Sequence, residues 1–559
     1  MRYSITSIAC LVAFTVFGQS PERGLMAQKA LVVSARAEAS QIGADILKKG
    51  GNAFDAMIAT DLALAVSFPF AGNIGGGGFM VYRLNDGSYG ALDYREKAPA
   101  AAHRDMYLDE NGEVIPQKST LGATAVGVPG TIAGLYAVHQ KFGSLPWSEL
   151  VQPAIDLAQN GIVVTERQAQ SLSGSRELMV RVNHPKSLYA QPYQSGDVIK
   201  NPALARTLST IAQKGHDGFY RGEVAQKITS LVQEKGGFIT LKDLADYQAV
   251  WRKPIVFPYK DLNIISMSPP SSGGVTLAQM FGMLKQESFD SLSGWNTAAI
   301  HASVEVARRA YADRNYYLGD PDFVAIDIQS LTSPQYLTSR MNSFDFNRAT
   351  PSEQVSQGQP QTWESDQTTH YSIVDAQGNA VAVTTTLNGA YGSKLFSDDL
   401  GMFFNNEMDD FSAKAGVPNM FGLIGAAANE IAPGKRMLSS MTPTIVERDG
   451  QLWAVVGTPG GSTIISAVFQ TILSLREFGM GMQEAVNAPR FHHQWLPDVL
   501  VMEPNRFPES IINTLMDMGH QVNQQQSRII GKVDAILVLK DGTLEAGADP
   551  RGDDAARGF

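Results

Sequence analysis

The chain has 559 residues, and its 45 basic and 55 acidic side chains give a net charge of −10 at pH 7. Because 44% of the residues are apolar and only 18% are charged, the chain can bury a large core, which excludes a disordered protein. Nucleic-acid binding requires clustered Lys and Arg, so an acidic chain without a basic run is a poor candidate for it.

The first twenty residues indicate export. Arg2 precedes an apolar stretch from Ile8 to Phe17, and small residues follow. This pattern is typical of a secretory signal peptide and is too short for a membrane-spanning helix. We therefore predict a signal peptide over residues 1–19 and a mature protein with no stable membrane anchor. Cleavage would remove Cys10, the only cysteine, which excludes disulfides and thiolate metal sites.

The middle of the chain predicts mixed helices and strands. Apolar residues recur three and four apart over residues 34–66, with a break at Gly50-Gly51-Asn52, which predicts two helices. Further patterns predict a glycine loop at 75–78 leading into a strand, a helix from about 129 to 143, a strand, loop and helix around 260–280, and a helix at 303–320. Residues 352–367 are polar and predict an exposed loop.

A β-hairpin is predicted directly after this polar loop. Residues 368–375 and 380–388 are rich in β-branched side chains, and Ala376-Gln377-Gly378-Asn379 is a turn sequence. Pairing Asp375 with Ala380 would put Thr368 one place from Thr386, and a one-residue bulge would put the two threonines directly opposite. Either register brings them within reach of each other. Threonines are also common in strands for reasons of propensity alone.

Common catalytic signatures are absent from the sequence. It contains no H-E-x-x-H, no G-x-S-x-G and no G-x-x-x-x-G-K-[ST] motif. The neighbouring His492 and His493 would point to opposite faces of a strand, with no carboxylate at a useful spacing, so we predict no metal site there. No cofactor is predicted either.

Several long segments together resemble the gamma-glutamyltranspeptidases. They occur in the same order as in that family and cover essentially the whole mature chain. The segments are GGNAFDA (50–56), NIGGGGF (73–79), LDYREKAP (92–99), GVPGT (127–131), PPSSGG (269–274), RRAYADRNYYLGDPDF (308–323), TTHYS (368–372), TTTLNGAYG (384–392), NNEMDDF (405–411), GKRMLSSMTPTIV (434–446), GTPGGSTII (457–465), APRFHHQWLPD (488–498) and ADPRGDDAARGF (548–559).

The resemblance implies an α+β fold, the four-layer αββα sandwich of N-terminal-nucleophile hydrolases. It also implies that the precursor cuts itself between Gln367 and Thr368, giving a heterodimer of a large subunit (20–367) and a small catalytic subunit (368–559). A threonine hydroxyl is a weak nucleophile that needs an adjacent base. The α-amino group freed by the cut has a pKa of about 7.7–8.0 and can serve as that base, so the cut would activate the enzyme.

The same resemblance implies roles for individual residues. The implied catalytic residues are Thr368 as nucleophile, Thr386 as its hydrogen-bond partner, and Gly460 and Gly461 as oxyanion donors. The implied substrate-binding residues are Arg95, Ser439 and Ser440 for the substrate α-carboxylate, and Asn388, Glu407 and Asp410 for its α-ammonium group. Phe421 stands in a lid segment (411–422) where relatives often have tyrosine, which predicts a looser gate.

The activity implied is that of an exported gamma-glutamyltransferase and glutathione hydrolase, periplasmic or secreted. Its substrates would be glutathione or other γ-glutamyl compounds, with water or amino-acid and peptide amines as acceptors. A cephalosporin or glutaryl acylase on the same scaffold is the alternative, although it has less need of the amino-acid clamp formed by Arg95, Asp410, Ser439 and Ser440. A non-catalytic binding protein of this fold would be expected to have lost Thr368 or the glycine pair.

Overall fold

A computed structural model describes residues 22–284, 294–355, 368–414, 417, 419–420, 426–525 and 529–559. The predicted signal peptide, Cys10, Gln367 and Phe421 therefore lie outside the described residues. Within the described ranges, no helix is both long enough and apolar enough to span a bilayer.

The strands are mostly short and antiparallel. In chain order they are β1 Met26–Ala27, β2 Leu31–Ser34, β3 Gly77–Arg83, β4 Tyr89–Asp93, β5 Ile162–Val163, β6 Val198–Ile199, β7 Val250–Arg252, β8 Ile255–Tyr259, β9 Leu262–Ser266, β10 Thr369–Val374, β11 Ala380–Thr386, β12 Phe396–Ser397, β13 Met402–Phe403, β14 Thr444–Arg448, β15 Gln451–Gly457, β16 Phe491–His492, β17 Leu500–Met502, β18 Val522–Asn523, β19 Asp534–Val538, β20 Leu544–Gly547 and β21 Ala555–Gly558.

The helices lie mainly before the predicted hairpin. They are α1 Ala37–Lys48, α2 Ala53–Ser67, α3 Thr131–Phe142, α4 Trp147–Asn160, α5 Glu166–Val182, α6 Pro202–Lys214, α7 Asp217–Tyr220, α8 Gly222–Glu234, α9 Leu241–Ala245, α10 Gly273–Leu284, α11 Thr297–Tyr317, α12 Ile328–Leu331, α13 Pro334–Arg340, α14 Thr463–Arg476, α15 Met482–Asn487 and α16 Glu509–Asp517.

Two seven-stranded antiparallel sheets form the centre of the fold. One has the strand order β21-β2-β10-β11-β3-β4-β7, and the other has the order β1-β20-β19-β15-β14-β9-β8. The sheets pack face to face through β10 and β11 on one side and β15 and β19 on the other. Helix α2 covers the outer face of the first sheet, while α10 and α14 cover that of the second. The predicted αββα sandwich is confirmed.

The helices predicted over residues 34–66 are α1 and α2, and the physical reason for the break is visible. Asn52 caps α2, since its side chain accepts the N–H groups of Phe54 and Asp55 at 2.9 Å each. The Asp55 carboxylate accepts the Asn52 N–H in return at 3.0 Å, which completes a capping box. The fifteen residues of α2 are all buried, because the helix lies between the first sheet and further helices.

Candidate active site

The hairpin of β10 and β11 brings the two predicted threonines together. Val374 pairs with Ala380 and Thr369 with Thr385, so continuing the register by one residue puts Thr368 directly opposite Thr386. Both threonines line the same pocket. The two threonines therefore lie opposite each other without the one-residue bulge that the sequence-based pairing would have needed.

The register differs by one from the pairing of Asp375 with Ala380, because Asp375 lies opposite Asn379 instead. The Asp375 N–H donates to the Asn379 carbonyl at 3.0 Å, which continues the register of the two strands. The Asp375 carboxylate accepts the N–H groups of Gln377 and Asn379 at 2.9 Å each. The turn therefore covers residues 376–378, one residue fewer than the sequence predicts.

Strand alternation points Thr368 toward the second sheet. His370 and Ser372 share its parity, and the Ser372 hydroxyl donates to the Asp534 carbonyl of β19 at 2.9 Å. His370 packs on Gly457, where an added Cβ would lie 2.1 Å from the imidazole Cε1. Burial lowers the pKa of His370 to about 3, so the ring is neutral at pH 7. Thr368 thus faces the segment that follows Gly457.

That segment contains the glycine pair. Gly460 and Gly461 have φ angles of +135° and +54°, which disfavour a side chain. They directly precede α14, and the Gly460 carbonyl accepts the Thr463 N–H at 3.0 Å. Backbone N–H groups at the start of a long helix favour negative charge. Gly461 lines the pocket beside Thr368, so the pair is suited to hold a developing oxyanion.

The pocket collects most of the predicted site residues in a space of about 520 Å³, including its open mouth. Eight of them line it directly: Arg95, Thr368, Thr386, Asn388, Asp410, Ser439, Ser440 and Gly461. Of the other two, Gly460 is next to Gly461, and Glu407 is bound to Arg95.

Arg95 lies in a cluster of three acidic side chains. Its guanidinium is 1% exposed, 2.6 Å from a Glu407 oxygen and 3.7 Å from a Glu96 oxygen, and it donates to Asp410. Burial opposes the charge of Arg95, but the three carboxyl groups outweigh it and raise its pKa. Burial also raises the pKa of Glu96 to about 8 and that of Glu407 well above its usual range, against the opposing effect of Arg95. Arg95 is therefore a buried cation whose ion-pair partners all come from its own chain.

Asn388 links Thr386 to the loop that carries Glu407 and Asp410. Its N–H donates to the Thr386 hydroxyl at 2.8 Å, and its side-chain amide donates to the Asn406 carbonyl at 3.0 Å. It adopts a φ of +70°, a conformation that asparagine tolerates better than most residues. Asp410, at the end of the same loop, accepts the Asn419 amide at 3.1 Å.

Sequence reasoning missed Arg314. This residue of α11 is 3% exposed, lines the pocket, and donates from Nη2 to the Ser440 hydroxyl at 2.8 Å. The segment RRAYADRNYYLGDPDF was recognised as typical of the family, but no local signal indicates which of its arginines reaches a serine 126 positions away. Glu96 and Asn429 were also missed as members of the site.

Metal-ligand residue types meet in one described cluster away from this pocket. His301, Glu305 and His520 place ligand atoms within 4.8 Å of one another. The two histidines hydrogen-bond each other at 2.8 Å, and Glu305 is bound by Arg308 at 3.2 Å and Arg309 at 2.6 Å. Two guanidinium groups on the carboxylate disfavour a bound cation.

His492 and His493 point to different partners, as the alternation predicts. His492 bonds Ser466 at 2.8 Å, and His493 contacts Asp498 at 3.1 Å. The expectation that no carboxylate is near His493 was wrong, because the chain turns at Trp495 and brings Asp498 back. Burial lowers the pKa of both histidines to about 4.

Comparison with known proteins gives consistent results. The sequence model of the family described as Gamma-glutamyltranspeptidase matches residues 39–559. A glutathione hydrolase proenzyme of Escherichia coli is 45% identical over 541 residues, covering 95% of this chain and 92% of that one. An Acylase ACY 1 proenzyme of a Pseudomonas strain is 34% identical over 541 residues, covering 94% and 92%. The crystal structure of a cephalosporin acylase from Bacillus halodurans superimposes with a TM-score of 0.85 at 24% identity, covering 99% of both chains, which shows the shared fold.

Proposed function

Because the chain belongs to the gamma-glutamyltranspeptidase family, we propose that it is a glutathione hydrolase and gamma-glutamyltransferase whose nucleophile is Thr368. The observation that carries the proposal is one pocket that contains Thr368 and Gly461 together with the buried charges Arg95 and Asp410. Such a pocket combines a hydroxyl, an oxyanion site and groups of both signs for an amino-acid zwitterion.

The chemistry is acyl transfer through an ester. The Thr368 Oγ attacks the γ-glutamyl carbonyl, its proton passes to the α-amino group of the same residue, and the carbonyl oxygen becomes an oxyanion. The N–H groups of Gly460 and Gly461 stabilise that charge. The bond to cysteinylglycine then breaks, and its amine takes the proton. Water or an acceptor amine attacks the remaining ester and frees Thr368.

The glutamyl end of the substrate is held by the two charges of the clamp. Its α-ammonium group would face Asp410, Glu407 and Asn388, and its α-carboxylate would face Arg95, Ser439 and Ser440. An arginine fork and two hydroxyls match a carboxylate better than a lysine would. Substrate binding then exchanges the present contacts of Arg95 with Glu407 and Asp410 for contacts that include the substrate.

The α-amino group of Thr368 exists only after the chain is cut before this residue. We therefore infer self-cleavage between Gln367 and Thr368, giving subunits of residues 20–367 and 368–559 that stay together as a heterodimer. The close packing of β10 between β2 and β11 supports an assembly that persists after the cut. The signal-peptide pattern supports export, and the similarity to bacterial relatives supports a periplasmic location, with secretion as the alternative.

An acylase on the same scaffold is the rival function. It would use Thr368 and the glycine pair but acts on acyl groups without an amino-acid head, so it has no use for a buried Asp410 next to Arg95. The sequence identities support the glutathione hydrolase over the acylase, because the chain is 45% identical to a glutathione hydrolase proenzyme and 34% identical to an acylase proenzyme.

The test is to incubate the purified enzyme with glutathione and, separately, with a glutaryl-cephalosporin, using Thr368→Ala as the inactive control. The proposal expects glutamate release from glutathione at a rate far above release of the glutaryl group. Preference for the glutaryl compound would make the protein an acylase, and no reaction with either would refute the catalytic role.

A further inference from the structure

A second buried arginine holds the carboxylate side of the pocket in place. Arg314 donates from Nε to the Ser272 hydroxyl at 2.9 Å and from Nη2 to the Ser440 hydroxyl at 2.8 Å. Its Nη1 donates to the side chain of Asn315 at 2.9 Å. The planar guanidinium group thus connects two different loops, those of Ser272 and Ser440.

The contact with Ser272 reaches Ser439 as well. The Ser272 hydroxyl and the Ser272 N–H both donate to the Ser439 carbonyl, at 2.7 Å each. The Ser439 N–H donates in turn to the Pro270 carbonyl at 2.9 Å. One guanidinium group therefore fixes Ser439 through its backbone and Ser440 through its side chain.

The contact with Ser440 also fixes the direction of a proton. A guanidinium group has donors and no acceptor, so the Ser440 hydroxyl can only accept from it. The hydroxyl proton of Ser440 has to point toward another group, and this side chain lines the pocket. The result is a serine whose donor is available to an anion in the pocket.

The charge of Arg314 acts in the same direction. Arg95, the other cation of the pocket, is surrounded by Glu96, Glu407 and Asp410. Arg314 donates instead to neutral hydroxyl and amide groups at the three contacts described above. It therefore brings a positive charge next to Ser440, and this charge also lowers the pKa of Asp410 against the effect of burial.

We propose that Arg314 is a positioning residue that makes the pocket selective for donors with an α-carboxylate, acting through Ser440 and Ser439. This inference rests on the proposed function, because it concerns the γ-glutamyl substrate of the same site.

The experiment compares two substrates that differ only in that carboxylate, γ-glutamyl-p-nitroanilide and 4-aminobutyryl-p-nitroanilide. The ratio of their kcat/KM values is independent of the fraction of enzyme that has matured. For Arg314→Gln we expect this ratio to fall by about 10- to 100-fold, the factor that a hydrogen bond to a charged group is worth. Only the kcat/KM value for the γ-glutamyl substrate should fall. Arg314→Lys keeps the charge but cannot hydrogen-bond Ser272 and Ser440 at the same time, so it should lose most of the selectivity too.

Arg309→Lys is the matched control, because Arg309 is a buried arginine of the same helix whose contacts lie with Glu305, Ser343 and Thr350. It should leave the ratio unchanged. In the double variant Arg314→Gln/Ser440→Ala, the ratio should fall by less than the two single falls multiplied together, since part of the effect of Arg314 acts through Ser440 and the rest through Ser439. An unchanged ratio in both Arg314 variants, or an equal fall in the control, would overturn the inference. A wild-type enzyme inactive on both anilides would instead contradict the proposed function.

Discussion

Replacing Arg95 should destabilise the protein much more than replacing Glu407, although the two residues form one ion pair. Arg95 forms ion pairs with Glu96, Glu407 and Asp410. Arg95→Gln removes the positive partner from all three of these buried ion pairs. Breaking a buried pair in this way costs about 3–5 kcal/mol of unfolding free energy.

Glu407→Gln should cost much less. Two unit charges about 4 Å apart at an effective dielectric constant near 20 interact by about 4 kcal/mol. The attraction of a Glu407 carboxylate to Arg95, 2.6 Å away, is of this order, but burial together with the repulsion from Glu96 and Asp410 outweighs it and raises the pKa of Glu407 well above its usual range. The neutral amide removes the attraction and the repulsions together, so we expect a net change of about 1 kcal/mol or less.

The assay is thermal unfolding of both variants in the uncut Thr368→Ala background, so that all proteins compared are single chains. Since unfolding entropy scales with length, about 1 kcal/mol corresponds to about 1 °C for a chain of this size. Arg95→Gln should lower the Tm by about 3–5 °C, and Glu407→Gln by about 1 °C or less. The double variant should recover part of the loss. A Tm for Glu407→Gln as low as that for Arg95→Gln would refute the reasoning.

Three further outcomes are expected. Thr386→Ala removes the hydroxyl that accepts the Asn388 N–H and should lower kcat/KM for glutathione by about 5- to 150-fold, whereas Thr386→Ser keeps the hydroxyl and should not. Equal rates of glutamate release by Thr386→Ala and the wild type would contradict this expectation. Gly460→Ala places a Cβ 2.4 Å from the Thr463 hydroxyl at a φ of +135°, which should displace the backbone N–H groups of the glycine pair. We therefore expect kcat to fall about 100- to 1,000-fold with little change in KM. An unchanged kcat would exclude an oxyanion role for this residue. Burial raises the pKa of Asp61 from 3.8 to about 7, so the folded chain retains a proton that the unfolded chain loses. The stability that this proton contributes at low pH is therefore lost as the pH rises from about 4 to 7, and the Tm should fall over that range. Asp61→Asn should flatten the fall in Tm, and an unchanged pH profile of the Tm would contradict this expectation.

The hairpin was accessible from the sequence because it depends on a local pattern. The turn sequence at residues 376–379 and the β-branched runs around it predict the hairpin, and a hairpin limits which threonines can face each other. Only the register was off by one, because Asp375 lies opposite Asn379 and not opposite Ala380. The roles of Gly460 and Gly461 came from the family resemblance, since a glycine pair between a strand and a helix can also be a simple strand break.

The contacts around the charges could not be predicted from local patterns. Arg95 and Asp410 are 315 positions apart, and their pairing follows from the packing of two loops that share no pattern. Arg314 could not be singled out either, because the three arginines of α11 are all buried and differ only in the loops that they contact. The residue types in the sequence suggested what the pocket binds, whereas the structure shows how its charges are arranged.

The central claim is that Thr368 is a nucleophile freed by self-cleavage, and intact mass spectrometry of the purified wild type beside Thr368→Ala tests it most directly. The account predicts two wild-type fragments that meet at Gln367 and Thr368, and a single uncut chain for the variant. Uncut chains in both preparations, or a cut that persists in Thr368→Ala, would contradict it.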